Sequence, residues 1–282
     1  IEAHILALVQ SRGKHHNPVT GSGGMLIGRV TEIGPAFPVA DKPVRIGDRI
    51  ATLVSLSLTP LEIKRIVKIY PEIDRVDVEG HAILFSTGLF AKLPGGDVLD
   101  SVALAALDVA GAPAQTRKLV KDGDLVVVIG GGGKSGLLCL YEAKRQKPRV
   151  KTVTVEYSET ACEKLRPLKF VDTVVKADAR NAIEVMEKVL AATGGRKADV
   201  VINVANVAET ELASILCARE GGIVYLFSMA TSFTRAALGA EGVGADVDLR
   251  IGNGYTKGHA ELVLSLIRES PELRKIFEET YA

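Results

Sequence analysis

The stretch LVVVIGGGGKSGLL, residues 125–138, reads as a buried strand that turns into a helix through a run of glycines, and what those glycines hold decides the fold. Two phosphate-binding patterns compete for it. The sequence Gly133-Lys134-Ser135 matches the tail of a nucleoside triphosphate loop, but that loop needs a glycine at the place of Val128, in the middle of the apolar strand. The dinucleotide pattern fits in two registers, Gly131-x-Gly133-x-x-Gly136 and Gly130-x-x-Gly133-x-x-Gly136. Either puts glycines where strand becomes helix, so that backbone N–H groups and the positive end of the helix dipole face a pyrophosphate. Lys134 and Ser135 stand in the same turn. Glu156 ends the next apolar run, twenty residues after Gly136, where a carboxylate accepts hydrogen bonds from the adenosine ribose. It should favour NAD over NADP by repelling the 2′-phosphate, with Lys134 and Tyr157 as neighbours that keep NADP open.

Working outward, the runs VKTVTVE, DTVVKAD, ADVVINVA and GGIVYLFSMA alternate with helical stretches at 137–145, 160–165, 182–192 and 209–217. Short Val/Ile runs spaced in this way predict parallel strands covered on both faces by crossover helices, an α/β Rossmann doubly wound sheet. It is assigned to residues 101–250. Open sheets of this kind bind ligands at the carboxyl ends of their strands. Asp178, Asn203, Met229, Ala230 and Thr231 therefore join Gly130, Gly131, Gly133, Lys134, Ser135, Gly136 and Glu156 as cofactor-binding candidates.

Residues 1–100 have a different texture. GMLIGRVTEIG and VRIGDRIATLV are short alternating strands broken by glycines, which suits a small β-rich domain. Residues 61–68 and 104–119 read as helices, and 251–282 as a closing strand and helix segment. With 35 basic and 34 acidic residues the net charge is +1, so nothing points to nucleic acid or an anionic membrane surface. No run approaches the roughly 18 apolar residues of a membrane span. The three cysteines stand far apart, without the spacing of a zinc site, and read as reduced, buried thiols of a cytoplasmic protein. The chain opens at Ile1 rather than methionine, so a preceding piece is expected.

GSGGMLIGRVTEIG and VRIGDRIATL resemble the strand and Gly-Asp-Arg turn of the medium-chain dehydrogenase/reductase superfamily, which implies a GroES-like β-rich catalytic domain beside the Rossmann domain. Zinc members of that superfamily carry Gly-His-Glu and a later cysteine where this chain has Thr20-Gly21-Ser22-Gly23 and Ala106-Leu107-Asp108-Val109. The comparison implies that no catalytic metal is held. NPVTGSGGMLIG, ATLVSLSLTPL, LAALDVAGAPAQ, FSMATSFTRAALGAEGVG and IGNGY are similar to stretches of the L-erythro-3,5-diaminohexanoate dehydrogenase family, across nearly the whole chain. That resemblance implies NAD-dependent oxidative deamination at C3 of the diamino acid, giving 5-amino-3-oxohexanoate and ammonia in lysine fermentation. Superfamily resemblance implies a homodimer joined through the Rossmann sheets.

Hydride leaves C3 only when the amine there is neutral, and an alkylamine titrates near roughly 10. Some group must take a proton first. Asp108, the only charge between Val102 and Gln115, is the first candidate, as base or as counter-ion to the C5 ammonium; a helix-capping or salt-bridged aspartate is the plain alternative. Glu241 is the second. Ser55, Ser57 and Thr59 alternate in LVSLSLTP, so one strand face would offer three hydroxyls to the substrate or simply to water. Tyr255 and His259 lie beyond the sheet as possible substrate contacts, Asn17, Thr20 and Ser22 mark a polar loop, and His15 and His16 read as exposed loop histidines. Two other functions fit: a zinc-free NAD(P)H-dependent quinone or enone reductase, and a dinucleotide-binding protein without turnover.

Overall fold

The computed structural model describes residues 1–18, 23–73, 75–93, 95–96, 98–145, 147–252 and 254–282, so Thr20 and Ser22 lie outside the described residues. The chain forms two compact units, residues 1–108 with 280–282, and residues 109–279.

In the first unit, helix α1 (Glu2–Arg12) stops at Gly13, whose left-handed φ of 65° turns its N–H back onto Val9 O. Strands β1 (Ile27–Arg29), β2 (Arg49–Thr52) and β5 (Phe90–Lys92) form an antiparallel sheet in the order β1-β2-β5. Strands β3 (Leu61–Tyr70) and β4 (Arg75–Ala82) make a long hairpin of their own. The helix expected at 61–68 is therefore a strand. Its register shifts between Ile63 and Arg65 and again between Ile66 and Lys68. Each shift inserts a residue into the alternation, so the inward side chains Leu61, Ile63, Ile66 and Ile69 fall at spacings that imitate a helix. Their β-branched neighbours were the better guide. The unit's main segment ends with helix α2 (Asp100–Leu107) and Asp108.

The second unit opens with helix α3 (Gly111–Leu119), so the single helix expected over 104–119 is two, broken at 108–110. Pro113 sits in the first turn of α3, where its missing N–H removes no helical bond. Gly111 is obligatory for another reason: a Cβ there would lie 2.6 Å from the backbone of Gly254.

Six parallel strands follow, β6 (Leu125–Ile129), β7 (Lys151–Glu156), β8 (Thr173–Lys176), β9 (Ala198–Asn203), β10 (Ala218–Leu226) and β11 (Val247–Ile251). They stand in the order β11-β10-β9-β6-β7-β8, so the order reverses at β6 and leaves a crevice between β6 and β9. All five residues of β6 are buried, as a strand covered on both faces requires. Crossovers α4 (Lys134–Lys144), α5 (Glu159–Leu165), α6 (Ala182–Ala192), α7 (Glu211–Cys217) and α8 (Phe233–Gly242) link the strands, and α9 (His259–Glu269) and α10 (Pro271–Tyr281) close the chain. On one face Val127, Ile129, Val153, Val155, Val201 and Val224 pack with Val185 and Val189 of α6 and Ala213 of α7. No described helix is long and apolar enough to cross a membrane.

Candidate active site

The carboxyl ends of the parallel strands lie side by side. Ile129 pairs with Val155 and Asn203, Glu156 with Lys176, and Leu226 with both Asn203 and Ile251. The residues that follow these strands therefore assemble on one edge, and they are Gly130–Gly136, Glu156, Asp178, Asn203 with Ala205, and the 228–231 turn.

Each glycine of the turn has its own task. Gly130 takes a φ of 89°, and a Cβ on it would press to 2.9 Å on the backbone of Ala205. At Gly131 a Cβ would lie 1.8 Å from Thr154 Oγ1, and at Gly136 it would lie 2.3 Å from Gly130 O and 2.5 Å from Gly131 Cα. Gly133 is different: the nearest atom to its Cβ position is Gly130 O, at 4.0 Å. Gly131 and Gly136 seat the helix against the strand, whereas Gly133 leaves its outer side open. Gly133 is also the N-cap of α4, and no side chain caps that helix. The first-turn amides, those of Ser135 and Gly136 among them, thus face an open cradle backed by a partial positive charge, which fits a pyrophosphate.

Glu156 closes the cradle. Its Oε2 accepts from the Gly132 N–H at 2.9 Å and its Oε1 from the Tyr157 N–H at 2.9 Å, so the carboxylate is fixed beside the turn. Asp178 is engaged differently. Both its oxygens take the Arg180 guanidinium, which holds its carboxyl down to about 2. Asn203 is wholly buried, and its amide is spent inside the protein: Nδ2 donates to Thr210 Oγ1 at 2.8 Å and Ser214 Oγ at 2.9 Å, while Oδ1 accepts from Ala205 N–H. It shapes the 204–210 loop rather than reaching outward. The adjoining 228–231 turn closes on Ser228, which accepts from Ala230 N–H and Thr231 Oγ1, and projects Met229 with 94% of its surface exposed. Glu211, buried at the start of α7, accepts the Ser232 N–H and ties this turn down. Glu211, Thr210 and Ser214 escaped the sequence reading, because a buried polar residue on a short helix carries no periodic signal.

Glu241 does not join this edge. It is exposed in the last turn of α8, next to the start of β11 and hence toward the amino ends of the strands, because a crossover helix runs antiparallel to the strands it connects. Tyr255 does follow a strand end, and its ring meets that of His259 edge-on at 5.2 Å. Burial lowers the pKa of His259, which favours a neutral ring. The cysteines are buried inside the second unit; burial pushes the thiols of Cys139 and Cys217 up to about 12 and leaves them inert.

In the first unit, Ser55, Ser57 and Thr59 do not share a strand face. They belong to a 3₁₀ turn, Leu56–Leu58, because Ser55 Oγ accepts the Ser57 N–H and bends the chain. Thr59 is buried and donates to Ser55 O at 3.2 Å. Ser55 Oγ also receives the Gly23 N–H at 2.9 Å and lies 2.8 Å from Ser57 Oγ. Asp108 is exposed at the carboxyl end of α2, so the cost of a buried carboxylate does not apply to it. Among the described residues no three His, Cys, Asp or Glu side chains stand close enough to hold a metal ion.

A mycobacterial protein solved with NADPH superposes with a TM-score of 0.64 at 20% identity, covering 92% of this chain and 77% of that one. That likeness shows the fold, a Rossmann-type parallel sheet accompanied by a β-rich unit. Residues 1–94 match the model of the L-erythro-3,5-diaminohexanoate dehydrogenase N-terminal domain. Relatives named L-erythro-3,5-diaminohexanoate dehydrogenase occur in Acetoanaerobium sticklandii, 56% identical, and Fusobacterium nucleatum subsp. nucleatum, 51% identical. Each alignment covers all of this chain and 81% of the relative. Identity of that extent, over the glycine turn and the β-rich unit alike, means that the chain belongs to the L-erythro-3,5-diaminohexanoate dehydrogenase family.

Proposed function

We propose that this chain catalyses the NAD-dependent oxidative deamination of L-erythro-3,5-diaminohexanoate to 5-amino-3-oxohexanoate and ammonia, without a metal, as a cytoplasmic homodimer serving lysine fermentation. The observation that carries the reading is full-length identity above one half to two dehydrogenases of that name, in a chain whose glycine turn and Glu156 suit a dinucleotide. The nicotinamide, when bound, supplies the acceptor for the C3 hydride. The chain's own residues bind the pyrophosphate at Gly133–Gly136, hold the ribose through Glu156, and manage the substrate's charges. NAD is preferred because the Glu156 carboxylate repels a 2′-phosphate, and Arg180, on the next strand's loop, is already neutralised by Asp178. The test is NADH formation from the diamino acid with NAD and with NADP, against simple amines and enones. Enone reduction by NADPH with no amine turnover would make the chain a quinone-type reductase, and cofactor binding with no turnover would make it a binding protein.

Asp108 serves this reaction as counter-ion to the C5 ammonium. It stands at the carboxyl end of α2, where the helix dipole adds to its own charge and strengthens the local attraction for a cation. Asp108→Asn should raise KM for the diamino acid about 10-fold or more while kcat stays near wild type, as the loss of a charge-assisted bond implies. Unchanged KM would make the residue structural.

The homodimer is assigned to the edge strand β11. Gly221 N–H donates to Asp246 O and Gly252 N–H to Leu226 O, so the even-numbered residues of β11 face β10 and the backbone groups of Val247, Leu249 and Ile251 face outward. Antiparallel pairing of two copies about Leu249 sets Val247 against Ile251 and Asp248 against Arg250, apolar with apolar and acid with base. Leu249→Pro removes one outward donor and no bond to β10. Light scattering should find that variant monomeric; a persistent dimer would place the interface elsewhere.

A further inference from the structure

The loop after β8 brings a cation to the same edge of the sheet as Glu156. Lys176, the last residue of β8, pairs with Glu156 at the end of β7, and Ala177 N–H donates to Glu156 O at 3.0 Å. The residues that follow these strands, Tyr157 after one and Asp178 to Arg180 after the other, are therefore neighbours. Arg180 is held charged first by Asp178, and Tyr157 and Glu209 are close enough to add to the effect. Its guanidinium is thus near both the end of β7 and the loop that follows β9, the part of the edge where a dinucleotide places its adenosine ribose.

That cation is already in use. Asp178 Oδ1 accepts from Arg180 Nε at 3.0 Å and from the Arg180 N–H at 3.0 Å, and Asp178 Oδ2 accepts from Nη2 at 2.7 Å. Nε and Nη2 form an edge through which arginine grips a phosphate at two points, and here a carboxylate occupies it. The loop holds the clasp in place, since Asn181 N–H donates to Asp178 O at 2.9 Å and the Asn181 side chain caps α6 by accepting the Glu184 N–H. With its carboxyl held down to about 2 by the Arg180 side chain and then by the Arg180 N–H, Asp178 stays charged at neutral pH. Glu156 is fixed as well, by the Gly132 and Tyr157 N–H groups. A 2′-phosphate would meet a carboxylate held in place and a guanidinium that has no net charge to offer.

We propose that Asp178 sets cofactor specificity by clasping Arg180, which masks a latent 2′-phosphate site on this loop. The assignment rests on the NAD reading above and adds a second device to the repulsion by Glu156: one carboxylate repels the phosphate, and the other withholds the group that would bind it. Asp178 acts through Arg180 and is a positioning residue. Cutting the clasp frees a planar, permanently charged group whose paired donors match a phosphate.

The test is the ratio of the Kd values for NADPH and NADH, read by fluorescence titration of the whole chain and its variants. Asp178→Asn keeps an oxygen for the Arg180 N–H, so the turn survives, and removes the charge that holds the guanidinium. It should move the ratio about 10- to 100-fold toward NADPH, the worth of a charge-assisted bond. The gain should shrink as salt is added, because an exposed arginine–phosphate pair is screened. Asp178→Ser, whose hydroxyl also accepts from the backbone of such a turn, should show the same shift and serves if asparagine disturbs the loop. Asp178→Asn combined with Arg180→Gln removes both members of a neutral pair and should return the ratio to that of the wild type. A ratio unmoved in folded Asp178→Asn and Asp178→Ser overturns the assignment. So does a gain that persists without Arg180, which would mean that Asp178 repels the phosphate directly. Wild-type protein that binds neither NADH nor NADPH overturns the cofactor reading itself, and the assignment with it.

Discussion

Gly136→Val should bind no NADH and lose stability, whereas Gly133→Val should bind no NADH and keep it. The contrast follows from what each added side chain meets. At Gly136 the first carbon already lies 2.3 Å from Gly130 O and 2.5 Å from Gly131 Cα, and both are backbone atoms of the turn itself. Neither can move aside without pulling β6 from α4. Overpacking of this kind costs about 3 kcal/mol, which for a unit of this size is roughly 6–12 °C of melting temperature. At Gly133 the backbone has an ordinary φ of −83° and the nearest atom is 4.0 Å away, so the protein itself tolerates a side chain. The side chain then occupies the place of the pyrophosphate. Calorimetry and a fluorescence titration of NADH decide the matter. Equal melting temperatures for the two variants would overturn the packing account of Gly136, and NADH affinity retained in Gly133→Val would remove the turn from the cofactor site.

Asn203→Ala should rank with Gly136→Val in cost, although it touches no glycine and adds no bulk. Its amide, wholly buried, joins the end of β9 to Thr210 and Ser214 on one side and to the Ala205 N–H on the other. Alanine strands these groups. Each buried polar group left without a partner costs about 1–3 kcal/mol, so a total of about 3 kcal/mol and a fall of roughly 6–12 °C are expected. Weaker NADH binding should accompany it, because Ala205 is the backbone on which Gly130 rests. A melting temperature within about 2 °C of wild type would show that the network relaxes.

The strands β6 to β10 were legible because their signal is redundant: a run such as LVVVI is apolar throughout, and a strand covered on both faces requires nothing subtler. Where one face is exposed the signal thins. VDLRI alternates over five residues only and carried no strand assignment of its own, yet it is the edge strand β11. The sequence from Leu61 misled because two inserted residues changed its period. The site divides in the same way. The glycine turn and Glu156 could be placed by counting along the chain, since both belong to one βαβ unit. The turn that holds Ser55 and Ser57 could not, for it is set in part by Gly23, a partner distant from the serines in sequence that presents only backbone atoms. Asp108 shows a further limit. Apolar neighbours in sequence suggested burial, but Asp108 is the residue that follows the last turn of α2, and there it is exposed.

The irregular hairpin β3–β4 also bears on how crowded copies of this protein behave. A ribbon of two strands has two open edges, and strands as long as these, with Val67 and Val78 exposed, are natural templates for sheet growth from one molecule to the next. The two register shifts coil the ribbon and break the even ladder of amide and carbonyl groups that an incoming strand must match. Lys64 and Lys68 add like charge along the same strand. The feature that made this segment look like a helix therefore also protects it from aggregation.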